Sequence, residues 1–287
     1  SLIAVDEAHC ISQWGFDFRP SYRNICGIRA IFPTAPTVAV TASATKKVAE
    51  DIMEQLAFKS PNIFRQSFYR KNLRYVVQEE DNREERLMKL IHNLGGAGII
   101  YVRNRKRTQE LAAFLLRQSI KATYYHAGMG SEERKAVQAR WISNETPVMV
   151  ATNAFGMGID KPDVNYVVHL DLPDSVEAYF QEAGRAGRKG QTAYAVIFCT
   201  EADRQRLIDN IKIHFPEISE IRKTYKAICN YYQIALNSGE GSVFDFDIEK
   251  ICSSYQLNPL IVYSSVRFLE KEGFLALNDS GFEESQL

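Results

Sequence analysis

Residues 2–9 read LIAVDEAH, four apolar residues followed at once by two adjacent carboxylates, Asp6 and Glu7. The apolar run predicts a short buried strand, and the carboxyl edge of a strand in an open α/β sheet is where ligands bind. In a nucleoside triphosphate site the first carboxylate can hold Mg²⁺, and the second can orient or deprotonate the attacking water. Asp6 and Glu7 are therefore candidate catalytic residues. The alternative for so short a motif is a solvated strand end without chemistry.

The next segment, CISQWGFDFR over residues 10–19, is rich in aromatic side chains. Trp14, Phe16 and Phe18 alternate along it, and Arg19 comes directly after them. The segment is too polar and too rich in turn-forming residues for a core, so stacking on nucleic acid bases would explain it. One face of a half-buried strand is the alternative, because alternate residues of a strand share a face.

The composition favours a globular protein in a reducing compartment. The 287 residues are 45% hydrophobic, which suits about two domains with substantial cores. Neither a long apolar run nor the plan of a signal peptide argues for a membrane or for export. The five cysteines are scattered without a CxxC pair, which argues against a zinc cluster and a disulfide framework and suits the cytoplasm. The net charge of zero, with a small basic excess over residues 1–190, permits a nucleic acid partner without requiring one.

A glycine-rich phosphate loop of the form GxxxxGK[ST] does not occur in these residues. The chain is therefore either a fragment or a protein that does not bind triphosphate in the usual way. We expect an N-terminally truncated fragment, inactive by itself.

Strand and helix patterns alternate along most of the chain, which predicts an α/β fold with a mostly parallel sheet and right-handed crossovers. Periodicity is lost between Ala57 and Leu73, which predicts a linker. After residue 200 the apolar spacing becomes helical. We therefore predict domains at residues 1–66, 67–200 and 201–287.

Residues 151–160 read ATNAFGMGID and follow a predicted strand. Glycines there allow the backbone to approach a ligand closely, and the acid adds a polar contact. Gly158 and Asp160 are the candidates in this stretch.

Residues 181–188 read QEAGRAGR and place Gln181 before two arginines, Arg185 and Arg188. Two guanidinium groups on one short segment can clamp a γ-phosphate and stabilise the charge that develops during its transfer. The alternative is a solvated basic turn.

Residues 41–45 read TASAT and lie between a predicted strand and the helix that begins at Lys46. The hydroxyl groups of Thr41, Ser43 and Thr45 have two explanations of equal weight. They can cap the helix, or they can link the acidic strand end to a neighbouring lobe.

Five stretches of the chain occur in the order of the superfamily 2 helicase motifs: DEAH at 6–9, TASAT at 41–45, YHAGM at 125–129, and residues 151–160 and 181–188. More specifically, the chain resembles the RecQ family of DNA helicases. That resemblance rests on AHCISQWG at 8–15, DFRP at 17–20, GIIY at 98–101 and AFGMGIDKP at 154–162. Together the motifs span roughly residues 2–195.

The resemblance implies two RecA-like lobes, the first one partial, with ATP and Mg²⁺ in the cleft between them and single-stranded DNA across both. It implies an ATP-dependent helicase that moves on one DNA strand and unwinds duplex DNA in recombination and repair. Asp6 would be the Mg²⁺ ligand, through water, and Glu7 would activate the attacking water. Arg185 and Arg188 would reach the nucleotide phosphates from the second lobe.

The resemblance also assigns sensing and coupling roles. Gln181 would sense the γ-phosphate, and Asp160 with Gly158 would touch the nucleotide or the network coupled to it. A loop that reads DNA occupancy would contain His9, Gln13, Trp14, Phe16, Phe18 and Arg19. The hydroxyl residues Thr41, Ser43 and Thr45 would couple the lobes.

The chain departs from the family's pattern at three places. Phe16 stands where the family usually has histidine, which exchanges a polar contact for a stacking one. Lys71 stands where the linker motif, here FYRKN at 68–72, usually has proline. This departure would affect only the stiffness of the hinge. The family usually carries a four-cysteine zinc module after the second lobe, whereas Cys199, Cys229 and Cys252 are too few and too far apart, so we predict no zinc.

Residues 248–277 predict a helix, a turn, a second helix that ends at Gly273, and a strand over 274–277, the order of a winged helix. Such a domain would present its second helix to duplex DNA. The basic residues available to it are Lys250, Arg267 and Lys271. Because they are few in an acidic region, duplex binding and a packing or partner-binding role have equal weight. Which protein would bind there is left open.

We therefore predict the larger part of a RecQ-type helicase. A non-catalytic DNA-binding or annealing module on the same scaffold is the alternative from another class, and an RNA helicase is the alternative within the superfamily. Glu7, Arg185 and Arg188 argue against the first, because binding alone does not need them. The loop with Gln13 and Trp14 argues against the second.

Overall fold

The computed structural model describes residues 2–12, 19–58, 62–156, 159–235 and 238–278. The chain divides into two compact units, Ser1–Thr200 and Glu201–Leu287. None of the helices in those described ranges is long and apolar enough to cross a membrane.

The first unit begins with a small parallel sheet of two strands. Strand β1 (Ile3–Val5) lies beside β2 (Thr37–Ala39), with Val5 opposite Ala39. A small core forms under this pair, in which Ile11 and Leu56 are fully buried. The other elements here are the 3₁₀ helices Ala8–Ile11 and Pro20–Ile25 and the α-helices α1 (Cys26–Ile31) and α2 (Lys46–Gln55).

The rest of the first unit is a six-stranded sheet. Its strands are β3 (Leu73–Glu79), β4 (Ala97–Tyr101), β5 (Ala122–Tyr125), β6 (Val148–Ala151), β7 (Val164–His169) and β8 (Ala193–Cys199). Its helices are α3 (Arg83–Leu94), α4 (Arg105–Arg117), α5 (Ser131–Ile142) and α6 (Val176–Ala183). The strand order is β3-β8-β7-β4-β6-β5, and every neighbouring pair is parallel.

Two cores cover the two faces of this sheet. Successive residues of a strand point to opposite faces, so Ile99 packs in one core with Trp141 and Ile100 packs in the other with Leu115. Gly98 leaves no room for a larger residue, because an added Cβ would lie 1.9 Å from the Tyr166 ring. All carboxyl strand ends meet at one edge, and the segments that follow β4, β6 and β7 are the candidates for chemistry there.

The α/β class with a parallel sheet is confirmed, but the sequence analysis missed two strands. Strand β3 begins where the predicted linker ends and forms one edge of the sheet, where residues 74–77 are exposed and therefore show no apolar alternation. Strand β8 is an apolar run, which by itself does not distinguish a strand from a buried helix segment. Together these strands extend the sheet beyond what periodicity predicted.

The second unit is helical in the residues that the structure describes. It contains α7 (Glu201–His214), α8 (Ile218–Tyr231), α9 (Ile248–Tyr255) and α10 (Pro259–Lys271). Asn258 caps α10 by accepting from the amides of Leu260 and Ile261 at 2.9 and 3.4 Å, as an Asn before a helix commonly does. Cys252, Val262 and Val266 form its central cluster.

The predicted strand over residues 274–277 is wrong, because this segment pairs with no strand among the described residues. Its amides bond back to α10 instead, from Phe274 to the Leu269 carbonyl at 2.9 Å and from Leu277 to Glu270 Oε1 at 3.1 Å. Leu275 and Leu277 pack on the central cluster of this unit. The apolar spacing reflects burial against helices and not a sheet.

Candidate functional site

The two predicted carboxylates lie directly after β1. Asp6 is exposed, and its Oδ1 accepts the Glu7 amide at 2.8 Å. Glu7 has φ 48° and ψ 42°, a left-handed conformation that is uncommon outside glycine. Such conformations persist where the surroundings enforce them, and they cluster at functional sites. We call residues 6–9 the acid segment.

The buried side chain of His9 holds Glu7 within the acid segment. His9 Nδ1 lies 2.9 Å from Thr41 Oγ1 and 3.3 Å from Glu7 Oε2, and only 2% of the His9 side chain is exposed. The Ala8 amide donates to the Val40 carbonyl at 3.0 Å. These contacts tie the acid segment to the end of the neighbouring strand β2, so its geometry depends on the residues after β2.

The hydroxyl residues after β2 divide between the two explanations offered for them. Thr45 caps α2, because its Oγ1 accepts the Val48 amide at 3.3 Å. Thr41 instead contacts His9, and its Oγ1 also accepts the Ser43 amide at 3.4 Å. Ser43 Oγ accepts a hydrogen bond from Gln181 Nε2 at 3.4 Å. Contacts therefore run without a break from Glu7 through His9, Thr41 and Ser43 to Gln181.

The predicted arginines follow helix α6, and we call residues 181–188 the arginine segment. Arg185 Nη1 donates to the Gly156 carbonyl at 2.5 Å. A side chain at Gly156 would displace this guanidinium group, because an added Cβ would lie 2.3 Å from Arg185 Nη2. Arg188 Nη1 donates to Asp160 Oδ1 at 2.7 Å and to the Ile159 carbonyl at 3.1 Å. The sequence-predicted Asp160 is thus the ion-pair partner of Arg188.

Three polar residues in or beside the arginine segment were not predicted. His169 Nε2 lies 2.8 Å from Glu182 Oε2, and the two rings of His169 and Tyr101 stack at 5.2 Å. Burial raises the pKa of Tyr101, so the phenol stays neutral and donates to the Phe155 carbonyl at 2.9 Å. Tyr101 and His169 are the last residues of apolar strands, and that position at the sheet edge was the available signal.

Several predicted residues lie outside the described ranges: Gln13, Trp14, Phe16, Phe18 and Gly158. Of the same predicted DNA-sensing loop, His9 is described above and Arg19 donates its amide to the Cys10 carbonyl at 2.8 Å. The DNA-sensing role assigned to this loop stays a prediction.

The residues present fit ATP and Mg²⁺ in two respects. Mg²⁺ is usually held by one or two carboxylates, waters and substrate phosphates, which suits the exposed carboxylate of Asp6. Arg185 Nε is a buried donor without a partner in the part of the chain that the structure describes, and an unpaired buried donor is costly until an acceptor reaches it. Within the same residues no group of three His, Cys, Asp or Glu side chains could hold a metal ion.

The arrangement therefore combines a carboxylate pair, a strained Glu7, two arginines and a glutamine within one compact unit. Carboxylates can hold a cation and activate water, and guanidinium groups can stabilise phosphoryl oxygens. The Ser43–Gln181 hydrogen bond connects the residues after β2 to the arginine segment.

Comparison with known proteins gives consistent matches. Residues 82–190 match the model of the helicase conserved C-terminal domain. The chain is 44% identical over 204 residues to the ATP-dependent DNA helicase RecQ of Pasteurella multocida, covering 71% of this chain and 32% of that relative. It is 42% identical over 226 residues to the RecQ-like DNA helicase BLM of Xenopus laevis, covering 77% of this chain and 17% of that relative. The chain thus spans at most about a third of the length of these two relatives.

The fold also resembles a solved structure. S. cerevisiae Dbp5 bound to RNA and ADP BeF3 matches with a TM-score of 0.57 and 20% identity, covering 76% of this chain and 59% of that chain. At this identity the match concerns the fold alone, and the RecA-like class expected from the sequence is confirmed.

Proposed function

Because the chain belongs to the RecQ family of DNA helicases, we propose that the full-length protein hydrolyses ATP, moves on single-stranded DNA and unwinds duplex DNA. The observation that carries the proposal is the unbroken series of contacts from Glu7 to Gln181. A DNA-binding or annealing module needs no such connection between an acid segment and an arginine segment. We further propose that the activity serves recombination and repair.

The nucleotide would be held by residues of both the acid segment and the arginine segment. Bound ATP supplies the γ-phosphoryl group that passes to water, and bound Mg²⁺ neutralises charge on its phosphates. Asp6 would hold Mg²⁺ through water, and the Glu7 carboxylate would orient the attacking water and accept its proton. The left-handed backbone of Glu7 supports this role, because it fixes the carboxylate in a position that an extended strand would not give.

The arginine segment would supply positive charge to the transferred group. Arg185 Nη1 donates to the Gly156 carbonyl, while its buried Nε has no partner among the residues that the structure describes. This nitrogen would therefore be a donor for a phosphoryl oxygen. Arg188 and Asp160 form an exposed ion pair, and a phosphate could compete with the carboxylate for that guanidinium. Gln181 would report the γ-phosphate to Ser43 through the hydrogen bond between them.

The single-stranded DNA would be read by the loop that contains His9, Gln13, Trp14, Phe16, Phe18 and Arg19, with Gly158 and Asp160 beside the nucleotide. His9 supports the coupling part of this proposal, since it contacts both the candidate catalytic Glu7 and Thr41. A change in this loop on DNA binding would therefore reach the carboxylate directly.

For the second unit we propose a packing or partner-binding role instead of duplex recognition. Two of the three basic side chains that the sequence offers for duplex contact are already paired, Lys250 with Asp247 at 2.9 Å and Arg267 with Glu270 at 2.9 Å. Phosphate contacts supply most nonspecific affinity for DNA, and paired cations supply less of it. The location we propose is the cytoplasm, which suits the five free thiols.

The test is turnover by the full-length protein and its Glu7→Gln variant. We expect single-stranded DNA to stimulate ATP hydrolysis by the wild type and ATP to drive strand separation. Glu7→Gln should lower turnover by about 10²- to 10⁴-fold, because it removes a general base, while ATP and DNA still bind. The exposed Glu54→Gln is the matched control and should keep wild-type turnover.

Three outcomes would contradict the proposal. DNA binding or annealing without hydrolysis by the wild type would favour the non-catalytic module. Stimulation by RNA and not by DNA would favour an RNA enzyme. Equal turnover by Glu7→Gln and wild type would remove Glu7 from the chemistry.

A further inference from the structure

The segment between the small sheet and β3 contacts the arginine segment, and Arg70 makes two of these contacts. Arg70 Nη1 donates to the Gly184 carbonyl at 2.9 Å, and Arg70 Nη2 donates to the Gly187 carbonyl at 2.5 Å. Gly184 and Gly187 are the residues immediately before Arg185 and Arg188. One guanidinium group therefore fixes the two peptide groups that lead into the two arginines.

Asn72 strengthens the same contact from two positions further along. Its Nδ2 donates to the carbonyls of Gly187 and Gln191 at 2.7 and 2.8 Å. Gly187 has φ +69°, and an added Cβ would lie 2.6 Å from Asn72 Nδ2. The backbone of the arginine segment thus approaches Asn72 more closely than any residue with a side chain at 187 would allow.

An aromatic contact brings the segment before Arg70 onto helix α6. The rings of Phe68 and Phe180 meet edge to face at 5.1 Å, a favoured geometry for aromatic pairs. Phe180 lies directly before Gln181. Residues 68–72 therefore contact the residue before the arginine segment and two glycines within it, and we call them the linker clamp.

We propose that Arg70 is a positioning residue for ATP hydrolysis, which holds Arg185 and Arg188 at the geometry that phosphoryl transfer requires. This inference rests on the proposed function. In the proposed reaction Arg70 contacts neither the nucleotide nor the attacking water, and it acts only through the peptide groups of Gly184 and Gly187. Since the clamp follows directly on the segment that leaves the small sheet, any displacement of that segment would reach both arginines together.

A guanidinium group suits this task better than an ammonium group. Arginine presents its donors in a rigid planar fork, so two of its nitrogens can hold two carbonyls at a fixed separation. Lysine offers a point charge on a flexible stem, which can satisfy one carbonyl but does not fix both. The Arg70→Lys variant therefore separates positioning from simple hydrogen bonding at the end of a helix.

The experiment compares Arg70→Gln, Arg70→Lys and the control Arg65→Gln in the full-length protein. Arg65 is an exposed arginine of the same linker and makes no hydrogen bond or ion pair within the described ranges. The measurements are kcat and KM for ATP at saturating single-stranded DNA, the affinities for ADP and for ADP with aluminium fluoride, and the melting temperature.

We expect Arg70→Gln to lower kcat by about 10- to 100-fold, since a misplacement of about 1 Å can cost that much, with KM changed by about twofold at most. Affinity for ADP with aluminium fluoride should fall by a similar factor while affinity for ADP stays, because the arginines act on charge that develops in the transition state. Arg70→Lys should be intermediate, with an unchanged melting temperature. Arg65→Gln should match wild type.

Wild-type kcat in Arg70→Gln would overturn the inference while leaving the proposed function intact. Equal losses of ADP affinity, transition-state-analogue affinity and melting temperature would also overturn it, because they would reduce Arg70 to a structural contact. If Arg70→Gln does not fold, Arg70→Lys decides by the same ratio of affinities. No hydrolysis by the wild type would overturn the proposed function and this inference with it.

Discussion

The acid segment and the arginine segment both belong to the first unit, yet they are held in different ways. The arginine segment is bound along its backbone by Arg70 and Asn72, and Arg185 rests on a glycine that has no room for a side chain. The acid segment follows a strand with one partner strand, and its Glu7 is left-handed beside a single buried histidine.

The two segments therefore depend on different contacts for their geometry. The arginines depend on close backbone contacts within the six-stranded part and its linker, so steric changes there should displace them. The carboxylate depends on a short polar series through His9 and Thr41, so the loss of one hydroxyl should disturb it. Substitutions at Gly156, Thr41, Thr45 and Lys71 test this contrast.

The largest effect is expected from Gly156→Ala in the full-length protein. The new Cβ would lie 2.3 Å from Arg185 Nη2, so the guanidinium must leave the Gly156 carbonyl. Turnover should fall by about 10²-fold or more, because an arginine at the transferred phosphate is worth about 10³- to 10⁵-fold. Steady-state phosphate release with single-stranded DNA measures it.

Gly130→Ala is the matched control for that substitution. Gly130 has φ −60°, and an added Cβ would meet nothing within 4 Å, so turnover should stay at the wild-type level. Normal turnover in Gly156→Ala would show that Arg185 does not need its present position, and the contrast between the segments would fail.

An intermediate effect is expected from Thr41→Val. Valine keeps the shape of threonine but removes the oxygen that His9 Nδ1 contacts at 2.9 Å. With His9 less fixed, we expect kcat to fall by about tenfold, an effect near 1.4 kcal/mol on the barrier, and KM for ATP to change little. The kcat and KM of the full-length variant measure it.

Thr45→Ala tests the other explanation of the same hydroxyl segment. Loss of the α2 cap should lower the free energy of unfolding by about 1 kcal/mol and leave kcat unchanged, as urea titration and turnover would report. Were Thr45→Ala to slow turnover as much as Thr41→Val, the hydroxyls would act as one group and the separate role of Thr41 would be lost.

The smallest effect is expected from Lys71→Pro within the linker clamp. Lys71 is the second residue of a turn that the Leu73 amide closes on the Arg70 carbonyl at 3.1 Å, a position that favours proline. The Lys71 amide donates no hydrogen bond within the described residues. Proline should therefore raise the free energy of unfolding by about 0.4 to 1 kcal/mol without changing kcat.

Chemical denaturation of the wild type and Lys71→Pro side by side checks this value, with Arg65→Gln, at an exposed position of the same linker, as the neutral comparison. A loss of stability would mean that the turn at Arg70 does not accept proline. A loss of kcat at unchanged stability would mean that the clamp works by flexing, in contrast to the fixed geometry inferred for it.

The α/β class, the parallel sheet and most helices could be predicted, because apolar periodicity is a local property of the chain. Helix α2, for example, begins at Lys46 as predicted. The strand predicted at 274–277 was wrong because burial depends on tertiary contacts. An apolar run does not show whether a sheet or a cluster of helices buries it.

The motifs already show which chemical groups are available, an acid pair after a strand and two arginines after a helix, and they carry a family resemblance that the relatives bear out. How these groups are held is visible only in the folded chain, through His9 with Thr41, Ser43 with Gln181, and Arg70 with the carbonyls of Gly184 and Gly187. The physical reason is that these contacts join residues far apart in the chain, and many end on backbone carbonyls, which every residue carries and no sequence motif marks.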